Sequence, residues 1–521
     1  MHFARADVRA AEGRSTKACA SRRTANGSNL NKWRAAIVCE PGSLAAQARK
    51  LSLLVGNPQS SATALEQGLL WSAPRDQTFR PARVAWLFPG QGSQYTGMLF
   101  ELCRSDTAAA EALMLANAAL AELGQPSFDA LAWDSPNQLG ENVWHTQAAM
   151  LVADWIMLCT LRSRGLSADI VSGHSFGEFS AMLAAGCWDL HAALRATYER
   201  CRAIIEHVPP GYAMLSVQAD AATVAHTIAD SGLLLSISHR NAPQQTVVGG
   251  KQSHIAQLAQ QLDDEGLTSR LLPVPTAFHT AALQAAVQPF RAQLETIELH
   301  PPRTPLLSSV DNRFVAEPAS IRDGLAQQLT APLDFIALTE RLVREGVTLA
   351  LEVGPQQVLS RLVRQTSDQF CILPTDHAKL GASYQLQIVA ALCEMQGMMP
   401  VQSAFSGSKS SGARSVSLGR GRVCDAGEDV AYIESLTTRS VEPHCEDSLT
   451  TRSVEPHCRA VVHFDATAAR RSRLRKAGQV PSHAANRWTD RPDAAAPLHF
   501  DATQDRRQQR RLTAEYEVGQ R

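Results

Sequence analysis

Apolar and polar residues alternate in blocks through the middle of the chain, and these blocks predict alternating strands and helices. An apolar run at 84–88 predicts a strand that ends in a glycine-rich turn, and helical spacing of apolar residues follows at 107–123 and 146–164. The segment 168–175 predicts a second strand, with a helix that begins near Phe176. Alternation of this kind predicts an α/β domain with a mainly parallel sheet.

Residues 212–278 follow a different order of elements. Their pattern predicts strand, helix, strand, strand, helix and strand, which is the ferredoxin-like βαββαβ arrangement. The pattern of the larger domain resumes with a helix at 281–296 and strands at 306–310 and 347–355. We therefore expect a ferredoxin-like small subdomain to be inserted into the larger one.

The two ends of the chain differ from this body, which extends over residues 83–400. Residues 1–30 are polar and without periodicity, so we expect them to be disordered. Residues 31–82 predict one strand and one helix, as in a small linker unit. Residues 401–521 are predicted to be a disordered tail, because they contain copied segments without hydrophobic periodicity.

The copied segments of the tail do not predict a metal site. SLTTRSVEPHC at 435–445 recurs at 448–458, and HFDAT at 463–467 recurs at 499–503. The His–Cys pairs that the first repeat creates are not spaced like zinc ligands, so a copied disordered segment is the preferred interpretation.

Charge and cysteine content exclude several classes of function. Fifty basic and fifty acidic residues give a formal net charge of zero, which provides no attraction for nucleic acid or an anionic membrane. The 11 cysteines form no C-x-x-C pair, which fits a reducing cytoplasm. No apolar run reaches membrane-spanning length, and the N-terminus lacks the apolar stretch of a secretory signal.

The segment GHSFG at 173–177 is the first candidate for chemistry. It is a G-x-S-x-G element between a predicted strand and a predicted helix, the context of a nucleophile elbow, and it predicts an α/β-hydrolase-like large subdomain. Gly173 and Gly177 remove side chains where the backbone is crowded. Ser175 is then exposed at the N-terminus of the following helix, whose free N–H groups stabilise negative charge.

The glycine-rich loop FPGQGSQ at 88–94 is the second candidate. Its glycines allow backbone N–H groups to approach a ligand closely. The loop lacks the G-K-[ST] ending of a P-loop, which argues against nucleotide hydrolysis.

These two segments, together with AFH at 277–279 and EVGP at 352–355, resemble the malonyl-CoA:acyl carrier protein transacylases. They are also similar to the acyltransferase domains of polyketide and polyunsaturated fatty acid synthases. The resemblance covers residues 83–400, with the motifs in the right order and with matching gaps.

The resemblance implies a role for each matching residue. Ser175 corresponds to the nucleophile and His279 to the general base, while the backbone N–H groups of Gln91 and Phe176 form the oxyanion hole. Arg200 corresponds to the arginine that binds the substrate carboxylate. Phe278 matches an aromatic residue that blocks an α-methyl branch.

Four further residues have supporting roles by the same resemblance. The main-chain carbonyl of Gln328 is expected to support His279. Gln147 matches the glutamine of a Thr-Gln pair, although Ala148 replaces the usual proline after it. Asn241 belongs to an N-x-P turn, and His174 precedes the nucleophile.

The reaction implied by the resemblance is the transfer of a malonyl group from coenzyme A to the phosphopantetheine thiol of an acyl carrier protein. It passes through an acyl-serine intermediate and requires no cofactor and no metal. A carrier protein and synthase modules of polyketide or fatty acid biosynthesis are the expected partners. Two alternatives remain open, namely a hydrolase that edits stalled carrier proteins and a non-catalytic remnant of a megasynthase. Residues 31–82 resemble a ketosynthase-to-acyltransferase linker, which is consistent with the second alternative.

Overall fold

The structure is a computed structural model that describes a continuous body with one short gap, together with parts of both ends. The described residues are 34–39, 43–54, 64, 67–72, 82–134, 139–395 and 460–465. All of them belong to one structural unit, Met1–Ser472.

The strands of the described residues, in chain order, are Arg34–Cys39 (β1), Leu69–Ser72 (β2), Val84–Phe88 (β3), Ile170–Gly173 (β4), Tyr212–Val217 (β5), Leu235–Ala242 (β6), Gln245–Lys251 (β7), Ser269–Leu271 (β8), Leu306–Leu307 (β9), Phe314–Val315 (β10), Leu333–Asp334 (β11), Leu349–Glu352 (β12), Cys371–Pro374 (β13) and Ala460–Asp465 (β14). They form three sheets.

The helices of the described residues are Leu44–Leu54 (α1), Phe100–Ser105 (α2), Thr107–Glu122 (α3), Phe128–Ala132 (α4), Val143–Ser163 (α5), Gly177–Ala185 (α6), Leu190–His207 (α7), Ala221–Ser231 (α8), Gln252–Asp264 (α9), Gln284–Leu294 (α10), Pro318–Gln328 (α11), Phe335–Arg344 (α12), Val358–Thr366 (α13) and Ala382–Met395 (α14). A 3-10 turn at Ala281–Leu283 precedes α10. Among these helices, none has both the length and the apolar character needed to cross a bilayer.

The large sheet has six strands in the order β10-β9-β4-β3-β12-β13. All neighbours are parallel except β10, which is antiparallel to β9. Every residue of β3, β4 and β12 is buried, as expected for parallel strands that are covered on both faces. The prediction of a mixed α/β fold with a mainly parallel sheet is therefore confirmed.

The small sheet contains β5 to β8 in the spatial order β6-β7-β5-β8, with antiparallel pairing throughout. Helices α8 and α9 complete the βαββαβ order along the chain. The short strand β11, which lies outside the inserted segment, pairs in parallel with β6 as a fifth strand. The sequence did not predict this addition, because two residues are too few to show a strand pattern.

The third sheet joins the two ends of the chain. Strand β1 pairs with β2 on one side and with β14 on the other, both antiparallel. The strand and helix predicted within 31–82 are present as β1 and α1. Strand β14 contradicts the prediction of disorder for residues 460–465, because the backbone of an edge strand can be paired without any periodic pattern. The other residues of the predicted tail, including most of the copied segments, lie outside the described residues, as does 1–30.

A buried carboxyl on α5 predicts a pH-dependent stability. Asp154 is 1% exposed, and burial, with a smaller effect from Glu352, raises its pKa well above the ordinary value. The folded chain then holds this proton more tightly than the unfolded chain, so stability falls as pH rises above the ordinary carboxyl pKa.

Asp154→Asn removes this titration. The melting temperature of the variant minus that of wild type should therefore increase as the pH is raised from about 5 to about 8. Thermal unfolding across this range measures the difference. A difference that does not change with pH would show that Asp154 stays ionised in the folded chain.

Candidate active site

The turn between β4 and α6 presents Ser175 in a strained backbone conformation. Its φ is 53°, in the left-handed region that side chains other than glycine rarely adopt. A Cβ on Gly173 would lie 2.1 Å from the carbonyl carbon of Gly177, and one on Gly177 would lie 2.1 Å from the carbonyl oxygen of Phe88. Both glycines are thus required by close backbone approach, as the sequence predicted.

The loop after β3 packs directly against this turn. The N–H of His174 donates to the carbonyl oxygen of Phe88 at 2.9 Å, and a Cβ on Gly90 would lie 2.5 Å from the carbonyl oxygen of His174. Among the described residues, no hydrogen bond uses the backbone N–H of Gln91 or of Phe176. Two free donors therefore flank Ser175.

Ser175 and His279 form a hydrogen-bonded pair. The distance from Ser175 Oγ to His279 Nε2 is 2.6 Å. His279 follows the small subdomain with a φ of 60°, and its backbone N–H donates to the carbonyl oxygen of Leu329 at 3.0 Å. The fold thereby brings together two residues that lie 104 positions apart in the sequence.

The surroundings of His279 favour the neutral imidazole. Burial, the Arg200 guanidinium and His174 together lower the pKa of His279 to about 3, although the backbone of Gln328 and of Ala331 acts in the opposite direction. Nδ1 is buried, and no side chain among the described residues bonds to it. A neutral imidazole with its Nε2 facing a hydroxyl can accept the hydroxyl proton.

Gln328 also acts through its side chain, a contact that the sequence did not predict. Its Nε2 donates to the carbonyl oxygen of Ser175 at 3.0 Å and to Glu178 Oε2 at 2.7 Å. Ser309 Oγ also donates to Glu178, at 2.6 Å. Burial raises the pKa of Glu178, while these hydrogen bonds oppose the rise. The amide of Gln328 thus ties the serine turn to the segment that holds His279.

Arg200 on α7 is a buried cation beside the serine–histidine pair. It is 1% exposed, burial lowers its pKa to about 10, and among the described residues it forms no salt bridge. Its Nη1 donates to Gln147 Oε1 at 2.8 Å, and Gln147 Nε2 donates to Gln91 Oε1 at 2.9 Å. A desolvated guanidinium without a carboxylate is costly unless an anion binds it.

Three phenylalanine rings surround the guanidinium of Arg200. The distances from its Cζ to the ring centroids are 5.8 Å for Phe176, 5.9 Å for Phe179 and 5.4 Å for Phe278. Cation–π attraction offsets part of the desolvation cost. The rings leave Nε of Arg200 buried and without a hydrogen-bond partner among the described residues.

His174 and Asn241 connect the serine turn to the small sheet. His174 Nε2 lies 2.8 Å from Asn241 Oδ1, so the nitrogen donates and the amide oxygen accepts. Asn241 lies on β6, and its contact with His174 links that strand to the serine turn. The contacts described above thus connect all ten residues that the sequence singled out with the Ser175–His279 pair.

Two residues of this site, Glu178 and His239, were not predicted from the sequence. Glu178 is an acidic residue in a helix whose residues are all buried. A charged residue within such an apolar helix could have been recognised in the sequence as a candidate for the site. His239 lies two residues before Asn241 on the same strand, but burial does not alternate along β6, so no strand period marked His239 in the sequence.

The structure offers no metal centre within its described ranges. There, no group of three or more His, Cys, Asp or Glu side chains is arranged to hold a metal ion. The four His and Cys residues of the copied tail segments, His444, Cys445, His457 and Cys458, lie outside these ranges.

A strained serine at a strand-to-helix turn, paired with a buried neutral histidine, is the arrangement of enzymes that transfer acyl groups through serine. The acyl transferase domain family matches residues 85–395, more than half of the chain, and the chain belongs to this family. It is an acyltransferase.

Three comparisons place the chain within this family. A malonyl CoA-acyl carrier protein transacylase of Bacillus subtilis is 29% identical over 293 residues, which cover 55% of this chain and 91% of the relative. A malonyl-transacylase solved in complex with its type II polyketide synthase acyl carrier protein is 26% identical, with a TM-score of 0.55, covering 60% of this chain and 100% of that one. The acyltransferase domain from the second module of the salinomycin polyketide synthase is 25% identical, with a TM-score of 0.61, covering 73% and 86%.

The electrostatics of the site predict an unusual pH profile. We expect neutral His279 to activate Ser175, so labelling of the serine by a fluorophosphonate should persist well below pH 6.5, the ordinary pKa of histidine. Arg200→Met removes a positive charge that lowers the pKa of His279, so the acid limb of the labelling rate should shift to higher pH. Burial remains in this variant, which keeps the limb below 6.5. An unchanged limb would show that Arg200 exerts no charge effect on His279.

Proposed function

We propose that this acyltransferase moves a malonyl group from malonyl-CoA to the phosphopantetheine thiol of an acyl carrier protein, in polyketide or fatty acid biosynthesis. The observation that carries the proposal is the buried Arg200, a cation without a salt-bridge partner among the described residues, next to the Ser175–His279 pair. A neutral acyl chain would leave this charge uncompensated, whereas the free carboxylate of malonyl pairs with it.

The names of similar proteins support the same substrate and partner. The Bacillus subtilis relative is a malonyl transacylase, and the solved complex holds a malonyl-transacylase together with its acyl carrier protein. The salinomycin domain extends the similarity to a polyketide synthase. We therefore propose that malonyl-CoA is the substrate of this chain and an acyl carrier protein its partner.

The first half of the reaction acylates the serine. His279 Nε2 takes the proton of Ser175 as Oγ attacks the thioester carbonyl, and the backbone N–H groups of Gln91 and Phe176 stabilise the oxyanion. The tetrahedral intermediate collapses when the C–S bond breaks. The departing thiolate of coenzyme A receives the proton from His279, which leaves a malonyl ester on Ser175.

The second half transfers the malonyl group to the carrier. The phosphopantetheine thiol gives its proton to His279 and attacks the ester carbonyl. When the new C–S bond is complete, Ser175 Oγ leaves and recovers the proton from His279. These residues and the two thiol partners supply every group that the reaction needs, so the proposal includes no cofactor and no metal.

The acyl pocket selects for malonyl by charge and by size. Arg200 binds the carboxylate of the malonyl group. Its guanidinium is positioned by a hydrogen bond to Gln147, which in turn donates a hydrogen bond to Gln91. Phe278 lies against the guanidinium and is 5% exposed. We propose that its ring restricts an α-methyl branch, a discrimination of about 1–3 kcal/mol.

We also propose an arrangement of subdomains and a cellular location for this chain. We interpret the large sheet as an α/β-hydrolase-like subdomain and residues 212–278 as its ferredoxin-like insert, because the spatial order β6-β7-β5-β8 suits that fold. We take 83–400 as the acyltransferase domain and 31–82 as a linker of the synthase type, which the longer match to the salinomycin domain supports. We propose a cytoplasmic location, which is supported by the free thiols of Cys103, Cys159, Cys187, Cys201 and Cys371.

Ser175→Ala should abolish covalent labelling by radiolabelled malonyl-CoA without changing the fold, since Oγ is the nucleophile. Radiolabel that stays on the protein after denaturation measures the covalent ester, and circular dichroism shows whether the variant is folded. Ser360→Ala is a matched control that removes a fully buried hydroxyl on α13, outside the site, and should keep the label. If Ser175→Ala were still labelled, the nucleophile would be a residue other than Ser175.

Arg200→Ala should change selectivity rather than abolish chemistry. The serine and histidine remain, but malonyl loses the partner of its carboxylate, so kcat/KM for malonyl-CoA should fall by about 10²-fold or more. Acetyl-CoA has no carboxylate and should lose little. Comparison of both thioesters in wild type and variant measures the change. An equal fall for both would make Arg200 structural and favour a hydrolase that acts on neutral acyl groups.

A further inference from the structure

His239 is a buried histidine next to the catalytic pair, and the proposed reaction does not use it. It is 7% exposed, and its ring centroid lies 4.7 Å from that of His279 with an interplanar angle of 80°. On its other side it stacks on His174, at 5.3 Å and 14°. The three rings form one contiguous cluster that reaches from the serine turn to the base.

The hydrogen bonds of Ser238 determine the tautomer of His239. Ser238 Oγ lies 3.1 Å from the carbonyl oxygen of Val247 and 2.9 Å from His239 Nδ1. A carbonyl only accepts, so the single hydroxyl proton points to Val247. His239 Nδ1 must then carry a proton and donate it to Ser238, which holds the imidazole ring in one orientation.

The backbone of β6 is irregular at this point. Its register against β7 shifts between Ile237 and His239, and again between Arg240 and Ala242. Bulges of this kind redirect side chains and are frequent beside active sites. Both His239 and Asn241 are thereby turned toward the serine–histidine pair.

Strand β11 holds the irregular strand in place from its other edge. His239 is in register with Leu333, and Arg240 forms a 2.6 Å salt bridge with Asp334. The same segment of chain supplies Leu329, whose carbonyl oxygen accepts from the backbone N–H of His279. The positions of His239 and His279 are therefore set by one connected piece of backbone.

His279 needs support of this kind because its ring lacks a side-chain partner. In a serine–histidine–aspartate triad, a carboxylate bonds to Nδ1 and orients the imidazole. Here no described side chain bonds to Nδ1 of His279, and only the backbone of Gln328 and of Ala331 acts on the imidazole by hydrogen bonding. Contacts with neighbouring rings add to this restraint on rotation of the imidazole, and His239 provides the closest ring contact described.

We propose that His239 is a positioning residue, whose ring packs at right angles against His279 and holds Nε2 of that base in line with Ser175 Oγ. The inference rests on the proposed function for its role in malonyl transfer. It concerns the serine–histidine pair itself, however, and can be measured with a reagent that is not a substrate.

The test compares His239→Ala with His239→Phe in the full-length protein. The alanine variant should lose about 10- to 100-fold in kcat for malonyl transfer, and in the rate of Ser175 labelling by a fluorophosphonate, because small misplacement of a catalytic group is costly. KM for malonyl-CoA should stay within about twofold, since Arg200 is not in contact with the removed ring. His239→Phe retains a flat ring of similar size and should recover most of the labelling rate.

Val248→Ala serves as the matched control. Val248 is fully buried in the same sheet but packs in a separate apolar cluster with β5, α8 and α9. Its truncation should lower the melting temperature while leaving the labelling rate nearly unchanged. This variant separates loss of sheet stability from loss of positioning.

Two results would overturn the proposal. One is a labelling rate of His239→Ala close to wild type with a melting temperature lowered as in Val248→Ala, which would make His239 structural only. The other is a His239→Phe variant as slow as His239→Ala, because ring packing would then not position the base. If wild type reacts with the fluorophosphonate but accepts no malonyl group, the proposed function fails while the test of His239 remains valid.

Discussion

The close contact between the loop after β3 and the turn after β4 is the constraint on which the rest of the site depends. The backbones of Phe88 and Gly177 approach so closely that no side chain fits at 177. This contact strains Ser175, exposes its hydroxyl and sets two free N–H groups beside it. Parallel pairing of β3 with β4 places both segments at the same edge of the sheet, so the arrangement follows from the topology of the large sheet.

Around this contact the protein keeps one buried positive charge and a group of neutral imidazoles. Burial lowers the pKa of His174, His239 and His279, and the charge of Arg200 lowers that of His279 further. A bound carboxylate would neutralise Arg200 and so raise the pKa of His279 toward its ordinary value. In the proposed reaction, substrate binding would thereby strengthen the base that deprotonates the serine, which links recognition of the acyl group to its chemistry.

In the proposed reaction, the small sheet contributes through strand β6, which lies between β7 and β11, rather than through its apolar core. Strand β6 supplies Asn241 to His174 and His239 to His279, while β11 connects the same strand to the segment that carries Gln328. Gln328 reaches back to the serine turn. The large and small sheets are thus joined at the cleft by a closed set of contacts, and a shift of either sheet would separate the nucleophile from the base.

Local patterns in the sequence determined much of this protein. Periodicity predicted β3, α5 and the βαββαβ segment, since burial on one or both faces leaves a regular trace. The GHSFG segment predicted the strained turn, because only glycine fits beside that backbone. The family resemblance then predicted Ser175, His279 and Arg200. Tertiary structure alone decided the pairing of β11 with β6, the attachment of β14 to β1, the side-chain role of Gln328 and the position of His239. Each of these depends on contacts between segments far apart in the chain, made through backbone edges or single side chains, and such contacts leave no periodic signal in the sequence.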